Sequence, residues 1–232
     1  MVKVTMKAPS GRAPAAGRTE LTPDEIETLY ARLQARLPEP TTELEWRDPF
    51  TLLVAVSLSA QATDVSVNKS TRTLFPVADT PEKLLALGEE GIAEHIKLVN
   101  FHRTKAKNVV EMSRRLIEEH GGQVPRSHEA LVALPGVGPK TAAVVLNTAF
   151  GVPLIPVDTH IFRVSNRTGL APGATPQKVQ AILEAVTPDH FKRYAHHWLL
   201  LHGRYICVAR RPKCPVCPIA DICRYPDKTP PA

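Results

Sequence analysis

The chain has 232 residues, 43% of them hydrophobic, which suits one large domain or two small ones with a real core. No run of about 18 apolar residues exists, so no membrane span is expected, and the opening residues lack a signal-peptide core. The net charge of +6 is gathered at the ends, because residues 1–20 and 201–232 hold the basic surplus and the long middle is near neutral. A surplus confined to patches points to a polyanionic partner, with ordinary solubility as the plainer reading.

Residues 1–20 are rich in Ala, Pro, Gly, Lys and Arg, with no acid before Glu20, and are expected to form a disordered basic arm. A transit peptide has a similar composition. Helix starts then recur. Thr22-Pro23, Thr80-Pro81, Thr175-Pro176 and Thr187-Pro188 each offer an N-cap hydroxyl followed by proline at the first helical position. At the first of these, Thr22 and Glu25 make a capping box, and Leu21 and Ile26 can staple the helix entry. Ile26, Leu29, Tyr30, Leu33 and Leu37 follow on one helical face.

Further helices are expected at 49–60, 64–75, 81–87, 90–98, 103–119, 128–134, 139–149, 159–168, 176–186 and 189–206. The best strand-like alternation, Val152 to Val157, is broken by Pro153 and Pro156. The pattern is that of an all-α protein with short connections.

Between two of these helices lies Leu134-Pro135-Gly136-Val137-Gly138-Pro139-Lys140-Thr141. Two glycines around one apolar residue let the chain turn tightly and aim successive N–H groups outward, next to a helix N-terminus. Gly136, Val137 and Gly138 thus form a candidate phosphate-binding hairpin, with an ordinary helix–helix turn as the alternative. Lys140 falls in the first turn of the second helix. Its amine is a candidate nucleophile for Schiff-base chemistry, and a phosphate-contacting lysine is the plainer reading.

Asp158, in Val157-Asp158-Thr159-His160-Ile161, is placed as a helix N-cap. The same carboxylate can stabilise positive charge on a sugar or help activate an attacking group. His160 reads as structural.

All four cysteines fall in the last 26 residues, as C-x6-C-x2-C-x5-C: Cys207, Cys214, Cys217 and Cys223. A disulfide scaffold would spread them along the chain, so clustering indicates metal. Structural zinc usually takes two close pairs, and only Cys214 and Cys217 make one. The spacing favours an iron–sulfur cluster and leaves zinc open. Arg210, Arg211 and Lys213 lie in the first gap, either to meet a phosphate backbone or to compensate an anionic cluster.

At these places the sequence resembles the endonuclease III family of bifunctional DNA glycosylases, within the helix-hairpin-helix superfamily. The resemblance runs from about Leu21 to Arg224. It is carried by Leu134–Ala142, Val157–Val164, the cysteine pattern, Leu58-Ser59-Ala60-Gln61-Ala62-Thr63-Asp64, and His196-His197-Trp198 leading to His202-Gly203-Arg204-Tyr205.

The resemblance implies two all-α domains with a central cleft and a 4Fe–4S cluster on the four cysteines. One domain would be six helices over 43–152, ending in the hairpin. The other would join 21–42 to 153–224, leaving 225–232 as a tail. The implied activity is base-excision repair of oxidised pyrimidines in double-stranded DNA, by a monomer, with cleavage at the abasic site. The family lysine matching Lys140 attacks C1′, and the aspartate matching Asp158 assists base loss from across the cleft. Residues matching Gln61 and Phe101 fill the gap left by the flipped nucleotide, and Asp64 lies near the pocket. The family more often has leucine then tyrosine where this chain has Phe101 and His102. A bacterial member would be cytoplasmic and nucleoid-associated; nuclear or mitochondrial placement stays open.

Two rivals remain at this stage. Adenine–mismatch glycosylases share the cluster but usually lack the lysine and carry a further C-terminal domain. A catalytically inactive DNA-binding module would keep the hairpin and the cations without needing Lys140 or Asp158.

Overall fold

The structure is a computed structural model that describes residues 18–231. Among the described residues there are ten α-helices, one 3-10 turn and no strand. The helices are α1 (Pro23–Arg36), α2 (Pro49–Leu58), α3 (Asp64–Leu74), α4 (Pro81–His95), α5 (His102–His120), α6 (His128–Ala133), α7 (Pro139–Phe150), α8 (Thr159–Thr168), α9 (Pro176–Val186) and α10 (Asp189–Tyr205). No helix is long and apolar enough to cross a membrane.

Side-chain caps set most of the helix starts. Thr22 Oγ1 accepts from Glu25 N–H at 3.2 Å while Glu25 Oε2 accepts from Thr22 N–H at 2.9 Å, and Leu21 and Ile26 are both buried. Thr80, Ser127 and Thr175 cap α4, α6 and α9 in the same manner. Thr187 does not cap α10. It closes α9, and its hydroxyl shares a 2.9 Å hydrogen bond with the buried Tyr30 hydroxyl, so Pro188 becomes the N-cap residue without a side-chain bond. The two helices expected at 81–87 and 90–98 are both present, joined within α4 and broken where Gly88 takes the non-helical φ 73° and ψ 174°, and the second stops at His95. Leu37 is the C-cap of α1 and 44% exposed, so it leaves the buried stripe that precedes it.

The basic arm expected over residues 1–20 lies largely outside the described residues, and its end is not free. Thr19 Oγ1 and Glu20 N–H both donate to Gly169 O, at 3.2 and 2.8 Å.

The chain divides into two compact units. The first is Glu39–Pro156 with Asp189–His197. Its core is built on α2, which is buried along its whole length from Phe50 to Leu58, packed against α5 and α7. The first turns of α10 join it because Asn147 Nδ2 donates to Arg193 O at 3.1 Å and His196 Nδ1 meets Pro156 O at 2.9 Å. Spacing within α10 alone gives no sign that the helix contributes to both units.

The second unit is the chain to Pro38, Val157–Pro188 and Trp198–Ala232. Here α1 is the central piece. Tyr30 packs against Trp198 with ring centroids 6.3 Å apart, and Trp198 Nε1 donates to Leu37 O at 2.7 Å. From the same helix Arg32 donates to Pro218 O at 2.9 Å and pairs with Asp221 at 2.6 Å. Glu25 pairs with Arg224 at 2.6 Å. The N-terminal helix therefore holds the cysteine segment from one side.

Tyr30→Phe should lower the stability of the protein by about 1–2 kcal/mol, because it leaves the buried Thr187 hydroxyl without its partner. Chemical denaturation followed by circular dichroism checks this, and an unchanged midpoint would mean that the Thr187 hydroxyl finds another partner.

Candidate functional site

Residues singled out in the sequence fall into three groups, the first of which is the hairpin between α6 and α7. Gly136 takes φ 77°, and a Cβ there would sit 3.1 Å from Asn108 Cβ, so the turn requires glycine twice over. Gly136 and Gly138 are exposed. Val137 differs from expectation: its side chain is buried and its N–H donates to Leu134 O at 3.1 Å. It anchors the hairpin instead of presenting an outward donor. Gly138 is the N-cap of α7 with no side-chain bond, Pro139 is the first helical residue, and Lys140 follows in the first turn. The Lys140 side chain is exposed.

The second group comprises Gln61 and Phe101. Gln61 lies in the link between α2 and α3, and Phe101 is the N-cap residue of α5. Both are exposed. Gln61 has φ 55° and Phe101 has φ 57°. Among the described residues only one other non-glycine residue has positive φ, and it is Arg211 at φ 50°. The family resemblance makes Gln61 and Phe101 candidate DNA contacts, and Arg211 is a candidate for either a phosphate or the charge of the cluster. Left-handed backbone is costly for residues with a Cβ, and such strain gathers at functional sites. Asp64 opens α3, whose N-cap Thr63 accepts from Ser66 N–H at 3.2 Å.

The third group is built on α8. Asp158 Oδ1 accepts from His160 N–H at 2.9 Å and Ile161 N–H at 2.8 Å, which makes it the expected N-cap. The carboxylate is half-buried. Further along the same helix, Arg163 Nε donates to Cys207 O at 2.9 Å and Nη2 to Gly203 O at 2.7 Å. Arg167 donates to Val208 O at 2.8 Å and Ala209 O at 2.9 Å, and approaches Cys207 Sγ at 3.7 Å. A Cβ on Gly203 would lie 2.9 Å from His160 Cβ, so α10 needs glycine to pass α8. His160 is thus wedged in packing, in keeping with a structural role.

The four cysteines form no disulfide, are half-buried, and line one cavity together with Ile206, Lys213 and Ile219. Burial pushes the Cys217 thiol up to about 11 and raises Cys223 as well, and the neighbouring cysteines push the same way. Gathering four thiolates there is unfavourable unless a cationic group binds them. Among the described residues no three His, Cys, Asp or Glu side chains converge tightly enough to hold a single metal ion. Four free cysteines lining one cavity are the ligand set that an iron–sulfur cluster takes. Arg210, Arg211 and Lys213 stand exposed on this loop, whose base is closed by Lys213 N–H donating to Ile206 O at 2.9 Å.

Lys140, Gln61, Phe101 and the hairpin belong to the first unit; Asp158, the cysteines and the loop cations belong to the second. Arg163 and Arg167 were missed in the sequence, where an arginine pair on a polar helix reads as solvated surface.

Comparison with known proteins decides the family. The model of the HhH-GPD superfamily of base excision DNA repair proteins matches residues 54–189, and that of the iron–sulfur binding domain of endonuclease III matches residues 207–223. Endonuclease III of Escherichia coli (strain K12) is 56% identical over 200 residues, covering 86% of this chain and 95% of that one. The chain belongs to the endonuclease III family. Its Haemophilus influenzae relative is 55% identical over 200 residues, with the same shares covered. A solved structure of a trapped endonuclease III–DNA covalent intermediate is 40% identical with a TM-score of 0.81, covering 88% of this chain and 96% of that one. A non-covalent endonuclease III–DNA complex is 41% identical with a TM-score of 0.82, over the same shares. The all-α class matches this family's fold, and its cofactor is a 4Fe–4S cluster.

Asp158→Asn should separate capping from chemistry. Asparagine caps about as well as aspartate, so stability should stay within about 0.5 kcal/mol, whereas Asp158→Ala should lose about 1 kcal/mol. If the carboxylate also assists base loss, as the family resemblance implies, both variants should lose base excision by about 100-fold or more. Denaturation midpoints and single-turnover excision rates check the pair, and an active Asp158→Asn would reduce this residue to a cap.

Proposed function

We propose that the chain is a base-excision repair DNA glycosylase that removes oxidised pyrimidines from duplex DNA and then cleaves the strand at the abasic site. The observation that carries this reading is the likeness to an endonuclease III trapped covalently on DNA, set beside a lysine that stands exposed in the first turn after the hairpin.

Lys140 is the nucleophile in this reading. Its neutral amine attacks C1′ of the damaged nucleotide, the C1′–N bond breaks, and the base leaves with the bonding electrons and takes up a proton. Proton loss from nitrogen and opening of the sugar give a Schiff base. Removal of a C2′ proton then expels the 3′ phosphate, which nicks the strand. Asp158 supplies a fixed carboxylate that stabilises the positive charge growing on the sugar as the base departs. The target must first leave the stack, at a cost of about a few kcal/mol that damage lowers.

The remaining residues hold DNA. Gly136 and Gly138 offer backbone N–H groups to a phosphate, seated by the buried Val137. Gln61 and Phe101 fill the gap in the duplex. Arg210, Arg211 and Lys213 meet phosphates at a second place along the backbone. Cys207, Cys214, Cys217 and Cys223 hold the 4Fe–4S cluster, which cross-links the loop carrying those cations. The enzyme works as a monomer on double-stranded DNA bearing a damaged pyrimidine or an abasic site. Its bacterial relatives support a cytoplasmic location, and association with the nucleoid follows from the proposed DNA substrate.

Borohydride should trap a covalent adduct between the protein and an oxidised-pyrimidine duplex. Lys140→Gln should abolish the adduct and the excision while binding an abasic-site analogue nearly as well. Full excision without a trappable adduct would exclude the Schiff base, and binding without excision by the unaltered chain would mark an inactive DNA-binding module.

A further inference from the structure

Gln61 and Phe101 are far apart in sequence, yet one set of hydrogen bonds ties them together. Asn100, next to Phe101, donates from Nδ2 to Gln61 O at 2.7 Å. Lys105, one turn into α5, donates from Nζ to Leu58 O at 2.8 Å and to Ala60 O at 2.5 Å. Those two carbonyls are the last of α2 and the one immediately before Gln61. The Lys105 N–H donates to Phe101 O at 3.0 Å as the first main-chain bond of α5, so the residue whose side chain grips the α2 end is seated one helical turn after Phe101.

Lys105 is an unusual residue for a surface helix. It is 8% exposed, on the face of α5 that also carries Val109, Met112 and Leu116. Burial lowers its pKa, and its ammonium is held by main-chain carbonyls at the negative end of α2. Burying a cation costs stability unless it is fully bonded. A lysine used this way fixes the backbone it grips. What it fixes lies beside a pair of exposed tips that add nothing to the core: Phe101 is 65% exposed, and Gln61 is exposed as well.

Strained backbone persists only where its surroundings over-determine it. We infer that Asn100 and Lys105 are positioning residues that lock Gln61 and Phe101 into one rigid two-pronged probe, shaped before DNA arrives. The inference rests on the reading that these two tips enter the duplex. Its chemistry is preorganisation. The ordering and the backbone strain are met during folding, so they are not subtracted from the work of opening the base pair. Loosened tips would still bind phosphates and still react with an abasic sugar, but would open paired DNA poorly.

The test compares two substrates. One is an oxidised-pyrimidine duplex with 2-aminopurine beside the lesion, whose fluorescence rises as the stack opens. The other is a single-stranded abasic oligonucleotide, which has no gap to fill. Gln61→Ala and Phe101→Ala set the reference for losing a tip. Asn100→Ala and Lys105→Met should each lower excision from the duplex about tenfold, the scale of a lost hydrogen bond to a constrained group. The fluorescence rise should shrink in step, with lyase activity on the single strand within about threefold of the parent. Equal losses on both substrates, tracking a fall in Tm, would show a merely structural role and overturn the inference. So would reference variants that lose duplex excision while Asn100→Ala and Lys105→Met do not. Reference variants with unaltered duplex excision would instead overturn the reading of the tips as wedges. Should Lys105→Met fail to fold, Asn100→Ala decides alone, since its side chain is exposed.

Discussion

A backbone forced into the left-handed region at Gln61, Phe101 and Arg211 is the constraint around which the proposed DNA contacts of this molecule are arranged. For residues with a Cβ that conformation costs roughly 1–2 kcal/mol each. Nothing gained in the core repays it, because all three side chains are exposed. At Gln61 the hydrogen bonds around the strained position are explicit, from Asn100 and Lys105, and Asn100 is the residue next to Phe101. At Arg211 the loop is held by its ends: Arg163 and Arg167 grip the carbonyls of Cys207 to Ala209, and Lys213 N–H closes onto Ile206.

The cysteine loop shows the same economy of support on a larger scale. From Cys207 onward the chain has one short 3-10 turn, Cys214–Val216, and little helix to stiffen it. Exposed ion pairs such as Arg32–Asp221 contribute little on their own. A cluster joining four thiolates converts that segment into a cross-linked unit. Helix α8 then has two duties. Its first residue boundary holds Asp158 by two backbone N–H groups, and its later turns hold the loop that carries the cations.

Much of this was legible in the sequence, because capping chemistry is local. Thr22, Thr80, Ser127, Thr175 and Asp158 each do what a short oxygen-bearing side chain before a helix does. Where the reading failed, a distant partner had intervened. Thr187 has the same local pattern but is taken by Tyr30, which is 157 residues away in the chain. Val137 sits between two glycines, yet the core claims its side chain. The left-handed positions could not be seen at all, since Gln and Phe carry no mark of positive φ. Lys105 did leave a trace: a lysine in register with Val109, Met112 and Leu116 is a charge on an apolar stripe, and such a residue needs an explanation. The roles of Lys140 and Asp158 came from the family resemblance, since position in a first helical turn does not distinguish a nucleophile from a phosphate contact.

The most direct test of preorganised tips is a pair of crystal structures, one of the protein alone and one with lesion-containing DNA. Gln61 and Phe101 should show φ near 55° and 57° in both, with Asn100 and Lys105 on the same carbonyls. Tips that relax to negative φ without DNA, and turn left-handed only in the complex, would contradict the account.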